Sequence, residues 1–513
     1  MFLAVLAGVF ALAACNVARV GQDGPTDAVI ASADPFTWDP ARAGDAGSAS
    51  VIAQVFEGLT AFDANGVAQP ALAASWTVSD DGRQIVFTLR PDLVYSNGQP
   101  ITAQDVVDSW LRLIDPMQPS PLASLLGDVA GANEYLSGIG RADAVGLHAN
   151  GAQVTVDLRR PATYFIATTA SPSLAVYPRV EFGRDPQLPL VVSGAYVPTA
   201  TGPGAIHLTA NPNYWAGLPA LDEIDLVTDF AGRNGTDMFL DDEIDYVGVS
   251  SIDAPWVRYD NVLGPQLRST DSLSVTYYGF TTQNPPFDDP MVRLAFAQAV
   301  DWERIVRLGG GVPATSMIPP GIAGRDELDH KPAFDPEAAR ALLAQAGYPG
   351  GAGLPQITLS TYGSAYEAAV ADELEQNLGV TVQIEASDFQ TYSEHVEGSG
   401  KPQMWSLIWI ADYPHPHDFL GLLLETGASS NTGHWSNAEY DALLEQAAAT
   451  ADVDEQAAIY AQAQDILARE APVVPIAYDR SFALSRDGLL GALESGVGFI
   501  RYAGLDWAPG SGQ

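Results

Sequence analysis

The residue with the clearest chemical potential is a single acid at the end of an apolar segment. Residues 404–413 read Met-Trp-Ser-Leu-Ile-Trp-Ile-Ala-Asp-Tyr, an apolar stretch typical of a buried strand that stops at Asp412. Burying a carboxylate without a partner is costly. Asp412 therefore needs a counter-charge, either an arginine of the protein or a cationic group of a ligand. The alternative is a structural acid, paired with an arginine or capping the helix indicated by residues 418–422.

Two histidines and a further acid follow at once, at His415, His417 and Asp418. These residue types can ligate zinc or nickel. Pro416, however, favours an extended or turned backbone, which excludes the helical i, i+4 pairing of metalloprotease sites. We therefore expect a solvated loop rim here and predict neither a metal site nor a cofactor.

The motifs of the common enzyme classes are absent from the sequence. It contains no Gly-x-Ser-x-Gly elbow and no phosphate-binding loop, and the glycine run 309–311 lacks the lysine that such a loop requires. Paired acids such as Asp80-Asp81 are expected by chance in so acidic a chain. The sequence predicts a protein that is not an enzyme, with a secreted hydrolase left open as the alternative.

The chain has one cysteine, Cys15, preceded by the apolar run 1–14 and directly by Leu-Ala-Ala. A single cysteine excludes an intrachain disulfide and a multi-thiolate metal site. The run is too short for a permanent bilayer span, and the small residues are typical of a cleavage site. This pattern resembles the lipobox of bacterial lipoproteins, whose cysteine carries the lipid, although no basic residue precedes the run. We predict lipidation at Cys15; a buried free cysteine is the alternative.

Length and charge narrow the class of protein further. A chain of 513 residues has room for two to four domains. It has 63 acidic and 24 basic residues, a formal net charge of −39. This balance excludes a nucleic-acid binder, because phosphates require a basic surface. The 47% of hydrophobic residues is ordinary for a folded protein.

Strand-like and helix-like segments alternate along the chain. Residues 85–89 and 154–158 contain β-branched residues with period-two patterning and predict strands. We predict helices that begin at Thr102 and Asp335 and that cover 437–450 and 453–469. This alternation predicts an α/β protein of several lobes.

Seven motifs follow one another in order over nearly the whole chain. They occupy residues 55–60, 69–76, 81–90, 96–106, 211–215, 285–301 and 335–348. In this order they resemble the bacterial solute-binding lipoproteins, family 5, that serve peptide ABC transporters. Residues 409–413, Trp-Ile-Ala-Asp-Tyr, are similar to the Trp-x-Ala-Asp-Tyr strand of oligopeptide-binding members.

The resemblance implies an α/β fold of the two-lobed periplasmic-binding-protein class. Mixed sheets, a hinge between the lobes and an extra domain inserted in the N-terminal lobe belong to that fold. On this chain we predict a signal peptide with lipobox at 1–15, a tether at 16–26, lobe I from 27–56, 182–277 and 486–513, an inserted domain at 57–181, and lobe II at 278–485.

The resemblance also implies a ligand site. Asp412 is expected to pair with the α-ammonium of a peptide, beside a wall formed by Trp409. The other predicted ligand-binding residues are Ile408, Ile410, Ala411, Gly44, Asp45, Ala46 and Leu122. A plain surface turn is the alternative for residues 43–47.

Two features depart from the family pattern. Leu122 stands where oligopeptide binders can have an aromatic residue. Only His395 and Lys401 offer a basic group just before the strand, where some members can meet the carboxyl end of a peptide. Ligand length and recognition of the C-terminus therefore stay open.

We thus predict a substrate-binding lipoprotein of an ABC importer, a monomer anchored by its lipid in the periplasm or at the cell surface. It would capture short peptides between its lobes and deliver them to the permease and ATPase subunits. The alternative keeps the fold and binds a nickel chelate, a sugar or an opine. An ammonium-pairing Asp412 separates these hypotheses, because a sugar or an anionic chelate has no use for it.

Overall fold

The computed structural model describes residues 25–63, 66–162, 164–185, 188–202, 204–363, 366–398, 402–450, 452–492 and 496–510. Cys15, the predicted signal peptide and most of the predicted tether lie outside these ranges. Within them, no helix combines the length and the apolar character needed to cross a bilayer.

Strands and helices alternate throughout the described residues. The strands are β1 Asp27–Ala31, β2 Thr60–Phe62, β3 Ala68–Pro70, β4 Ala73–Val78, β5 Gln84–Leu89, β6 Leu147–Asn150, β7 Gln153–Asp157, β8 Tyr196–Gly202, β9 Ala205–Ala210, β10 Glu223–Val227, β11 Tyr246–Val249, β12 Leu267–Phe280, β13 Val312–Pro313, β14 Ile357–Thr361, β15 Val382–Ala386, β16 Met404–Ile410, β17 Val473–Ser485, β18 Leu489–Leu490 and β19 Asp506–Trp507. The helices are α1 Ala46–Val55, α2 Ala103–Leu113, α3 Ala132–Leu136, α4 Phe165–Thr168, α5 Gly235–Leu240, α6 Ala254–Val257, α7 Pro290–Gln298, α8 Trp302–Leu308, α9 Pro336–Gln345, α10 Glu367–Leu378, α11 Phe389–Glu397, α12 Pro416–Leu424, α13 Ala438–Ala449 and α14 Val453–Glu470.

The predicted strands are confirmed as β5 and β7, and the predicted helices as α2, α9, α13 and α14. At the start of α2, Thr102 and Asp105 form a capping box, in which each side chain accepts from the other residue's backbone N–H. The cap fixes the first turn of a helix whose Trp110 is fully buried.

One large mixed sheet connects the two ends of the molecule. Its strand order is β15-β14-β16-β12-β17-β11-β1-β10-β9-β8. Strands β12 and β17 are 14 and 13 residues long and pair antiparallel with each other in both halves of the sheet. The pairing is interrupted between Asp271 and Val275. The two halves are therefore joined by two crossing strands.

We use the names lobe I, inserted domain and lobe II for the ranges predicted above, whose boundaries stay predictions. Separate cores fill lobe I around Ile52 and lobe II around Phe296. A third core runs from Trp110 of the inserted domain to Phe419 of lobe II without a break. In this structure the inserted domain thus packs directly against lobe II.

Candidate functional site

A cavity of 280 Å³ lies where lobe I, the inserted domain and lobe II meet. It is lined by all nine residues predicted to bind the ligand: Gly44, Asp45 and Ala46 from lobe I, Leu122 from the inserted domain, and Ile408, Trp409, Ile410, Ala411 and Asp412 from lobe II. The structure brings these residues together, and their role in binding stays a prediction.

Residues 44–46 are the start of a helix rather than a plain surface turn. Asp45 caps α1, its carboxylate accepting from the Ser48 N–H at 2.8 Å. A Cβ on Gly44 would lie 2.9 Å from the Cβ of Pro121, so glycine here permits the inserted domain to approach. The first turn of α1 therefore borders the cavity.

Sequence reasoning missed part of the lining. The additional residues are Ala43, Ala49, Pro172, Ser173, Tyr362, Phe389, Val497, Gly498 and Phe499. Gly498 has φ +83°, and a Cβ there would lie 3.0 Å from Cγ2 of Ile410. The glycines on either side of Val497 were the one signal that this segment approaches another backbone.

Beyond Trp405, one edge of β16 faces the cavity without a strand partner among the described residues. The other edge pairs antiparallel with β12 along the whole strand, whereas β14 pairs only with Met404 and Trp405. The Ala411 N–H donates to the Leu273 carbonyl of the β12 side at 2.8 Å. Because backbone groups alternate in direction along an antiparallel strand, those of Ile410 and Ile408 point to the unpaired edge.

This unpaired edge has a defined end. The Tyr392 hydroxyl donates to the Ser406 carbonyl at 2.5 Å, so that carbonyl is already engaged. Ile408 is 42% exposed despite lying in the middle of the molecule. Within residues 407–410, Ile408 and Ile410 therefore offer backbone donors and acceptors to an extended ligand over a short distance.

Asp412 ends this edge as a half-buried carboxylate. Ser171 of the inserted domain donates to its Oδ1 at 3.3 Å. Among the described residues, no arginine, lysine or histidine forms an ion pair with Asp412. Burial raises the pKa of Asp412 to about 7. The site therefore holds a carboxylate whose charged form would be favoured by a cation arriving from outside.

Asp418, six residues further along the chain, has a structural role beside Asp412. The Asp418 side chain is fully buried and accepts from Trp409 Nε1 at 2.8 Å. It also accepts from the backbone N–H groups of Asp412 at 3.2 Å and Tyr413 at 3.3 Å. Burial raises the pKa of Asp418 well above its usual range. Asp418 thereby fixes both the Trp409 indole and the turn that carries Asp412.

The prediction of a solvated loop rim at residues 415–418 is wrong. Helix α12 begins at Pro416, since the first helical position needs no backbone N–H. His415 caps the helix, its Nδ1 accepting from the His417 N–H at 3.1 Å. His417 is only 4% exposed. Pattern alone missed this because the residues that bury α12 come from the distant inserted domain.

His417 belongs to a buried polar network between the inserted domain and lobe II. Its ring stacks on Tyr164 with centroids 4.4 Å apart and lies 3.2 Å from an Arg160 Nη atom. The Tyr413 hydroxyl lies 2.8 Å from His417 Nδ1. Burial lowers the pKa of His417 to about 3, so the imidazole is neutral. In the part of the chain that the structure describes, no group of three or more His, Cys, Asp or Glu is placed to hold a metal ion.

The sheet crossed by two strands and the cavity between the lobes define a solute-binding protein of the two-lobed class. Residues 67–431 match the model of the bacterial extracellular solute-binding proteins, family 5 (Middle), and this chain belongs to that family. It is 31% identical to the probable deoxycholate-binding periplasmic protein YgiS of Escherichia coli, over 87% of this chain and 86% of that protein. It is 28% identical to the oligopeptide-binding protein OppA of Bacillus subtilis, with 96% of each chain covered.

Solved structures confirm the two-lobed fold. The murein tripeptide-binding protein MppA of E. coli matches with a TM-score of 0.84 at 28% identity, over 94% of this chain and 98% of that one. Haemophilus influenzae OppA in complex with the peptide RPPGFSPFR matches with a TM-score of 0.84 at 25% identity, over 94% and 99%.

The arrangement of the lobes follows from a second structure of MppA. Its unliganded open form matches with a TM-score of only 0.67, at the same 28% identity, over 94% of this chain and 97% of that one. Because the two MppA comparisons share one sequence, their difference reflects the arrangement of the domains. The present structure departs from the open arrangement, in agreement with a cavity that all three parts of the chain enclose.

Proposed function

We propose that this protein is the substrate-binding lipoprotein of an ABC importer and that it captures short peptides between its lobes. The observation that carries the proposal is Asp412, a half-buried carboxylate with no cation beside it among the described residues, at the end of an unpaired strand edge. A peptide supplies both missing partners at once, an α-ammonium for the carboxylate and a backbone for the edge.

The geometry supports one direction of binding. With its ammonium at Asp412, an extended peptide runs back along residues 410–407 and therefore antiparallel to β16. Its backbone groups meet those of Ile410 and Ile408, and such main-chain pairing accepts many side chains. The Trp409 indole, held by Asp418, limits water near the ammonium and so strengthens the charge pair. Relatives named for peptide binding support this assignment.

The alternative ligands fit this site less well. The relative YgiS is named for deoxycholate. Deoxycholate is an anion, and many metal chelates are anions too. No arginine or lysine lines the cavity among the described residues, and the net charge of the chain is −39. An anion would therefore meet Asp412 without a counter-charge. A sugar would leave Asp412 without the cation that compensates its burial. The sequence contains none of the common catalytic motifs that would favour an enzyme.

Closure and transport follow from where the contacts lie. A ligand contacts lobe I and lobe II at the same time only in the closed state. Binding therefore shifts a hinge equilibrium towards closure. The closed form would then be recognised by the permease. A lipid on Cys15, which lies outside the described residues, would keep the protein at the membrane.

Ligand identity can be tested by calorimetry on the purified protein together with mass spectrometry of co-purifying molecules. We expect heat of binding with alanine-rich pentapeptides, none with deoxycholate, a hexose or a nickel chelate, and a set of short peptides in the mass spectrum. Binding of deoxycholate with no binding by any member of a diverse peptide library would contradict the proposal.

The anchor is tested separately. Cys15→Ser should move the protein from the membrane fraction to the soluble fraction and abolish incorporation of labelled fatty acid. Ser48→Ala, in lobe I, is a control that should leave the distribution unchanged. Membrane retention of Cys15→Ser at the wild-type level would refute the lipid anchor.

A further inference from the structure

The 280 Å³ cavity that contains Asp412, which we call the peptide cavity, adjoins a larger one of 970 Å³. We call it the neutral chamber and define it by Leu122, Tyr362, Phe389, Tyr392, Ser430 and Thr432. It shares Leu122, Tyr362, Phe389, Ile408 and Trp409 with the peptide cavity. A ligand in the first cavity can therefore continue into the second without leaving the protein.

The lining of the neutral chamber contains no formal charge among the described residues. No Asp, Glu, Lys or Arg lines it, although 17% of the chain is charged. His434 is the one histidine among the described lining residues. The remaining polar groups are amides and hydroxyls, such as Gln283, Asn284 and Ser430. A charged side chain that entered would lose hydration and find no counter-charge.

Aromatic rings form one wall of this chamber. Tyr362 packs edge-on against Phe389, with ring centroids 5.3 Å apart, and its ring lies 5.2 Å from that of Tyr392. Phe389 is 39% exposed, so it presents apolar surface that is not covered within the protein. Aromatic and aliphatic side chains gain most from such a surface.

We propose that the neutral chamber selects peptides with large uncharged side chains and does not recognise the C-terminal carboxylate. This inference rests on the proposed function, which places the peptide's ammonium at Asp412. The four steps along the backbone from Asp412 to Ile408 span about 13 Å at 3.3 Å per residue. The third and later residues of the peptide therefore lie in the chamber. Among the residues that the structure describes, no lysine or arginine lines it to receive a terminal carboxylate, so we expect a free acid and an amide to bind alike.

The test is calorimetry at pH 7.5. The ligands are Ala-Ala-Xaa-Ala-Ala peptides in which Xaa is Phe, Leu, Asp or Lys, and the Phe peptide as its C-terminal amide. The Phe and Leu peptides should bind at least about tenfold more tightly than the Asp and Lys peptides. The amide and the free acid should agree within about threefold.

A matched pair of variants probes the chamber itself. Ser430→Lys places a cation in the lining and should raise affinity for the Asp peptide about tenfold, whereas Ser430→Gln, similar in size, should not. Asp or Lys peptides that bind as tightly as the Phe peptide overturn the proposal. So does a tenfold preference for the free acid, including one that disappears in Lys401→Gln.

Failure of this proposal is distinguishable from failure of the proposed function. If N-acetylation weakens the Phe peptide while the four side chains bind equally, the ammonium site stands and the neutral chamber is not selective. If no peptide binds, or if acetylation has no effect, the placement of the peptide at Asp412 itself fails.

Discussion

The Nε1 atom of Trp409 lies 2.8 Å from the Oδ2 atom of Asp418. This contact gives Asp418 a different role from that of the nearby Asp412. Asp418 is fully buried and receives three N–H donors, so it holds the structure of the turn. Asp412 has no described cation beside it and faces the cavity. The structural acid and the ligand-facing acid are therefore different residues, six positions apart.

This division predicts different behaviour for the two acids. Asp418→Ala leaves three N–H groups, one buried and two partly buried, without this acceptor, and we expect the free energy of unfolding to fall by about 2–4 kcal/mol. Peptide affinity should fall equally for free and N-acetylated peptides, because the turn as a whole shifts. Denaturant unfolding and calorimetry measure the two effects. A loss confined to free-ammonium peptides would assign the ligand role to Asp418 instead.

Asp412 should make the ligand-free protein less stable as the pH rises. Its pKa is raised to about 7 in the folded chain from about 3.9 when unfolded. The folded state thus binds more protons between these values, and stability falls over this pH range. Asp412→Asn removes the effect and should stabilise the ligand-free protein at pH 8 by on the order of 2 kcal/mol, but not at pH 4.

The control for this pH dependence is Asp388→Ala. Hydrogen bonds from the Thr391 N–H and hydroxyl lower the pKa of Asp388, so its contribution is present at pH 8 and lost as the pH falls. The two variants should change stability at pH 8 in opposite directions. A uniform destabilisation by Asp412→Asn at both pH values would show that its burial is already compensated in the folded protein.

Glu425 of lobe II joins the inserted domain in this arrangement of the lobes. It lies 3.3 Å from Arg160 and 3.3 Å from Arg159, while Arg160 also pairs with Asp128 at 2.6 Å. Glu425→Gln should disfavour the closed state and weaken peptide binding roughly tenfold. Small-angle scattering should show less compaction at a given peptide concentration. Glu445→Gln, on the exposed face of α13, is the matched control and should bind as wild type; equal affinity of the two variants would refute this role for Glu425.

Much of the fold was predictable from sequence because its signals are local. Each of three elements is specified within about ten residues. The signals are the capping box at Thr102 in α2, the Asp335 cap followed by Pro336 in α9, and the alternating residues of β5. The apolar strand β16 and its terminal acid are local in the same way. These features place residues 408–412 at one site once the family resemblance is added.

The rest of the site depends on contacts between distant segments. The free edge of β16 exists because β14 pairs with it only as far as Trp405, which no local pattern indicates. Residues 415–418 are buried because Tyr164 and Arg160 of the inserted domain cover them. Gly498 reaches Ile410 from the far end of the chain. Sequence periodicity indicates the secondary-structure element to which a residue belongs. It does not indicate which distant segment packs over that residue.

The pairing of Asp412 with the α-ammonium of a peptide can be tested by one calorimetric comparison. Wild type, Asp412→Asn and Asp479→Asn are each titrated with one peptide in free and N-acetylated form. Asp479 is a suitable control because it is also half-buried, accepts from Ser274 and Thr276 hydroxyls, and lines neither cavity.

We predict that acetylation and Asp412→Asn each weaken binding by about 3 kcal/mol, roughly 100-fold or more. The two losses should not add, because each removes one partner of the same charge pair. Asp479→Asn should retain the preference for the free ammonium. Wild-type protein that binds the acetylated peptide as tightly as the free one would contradict the claim.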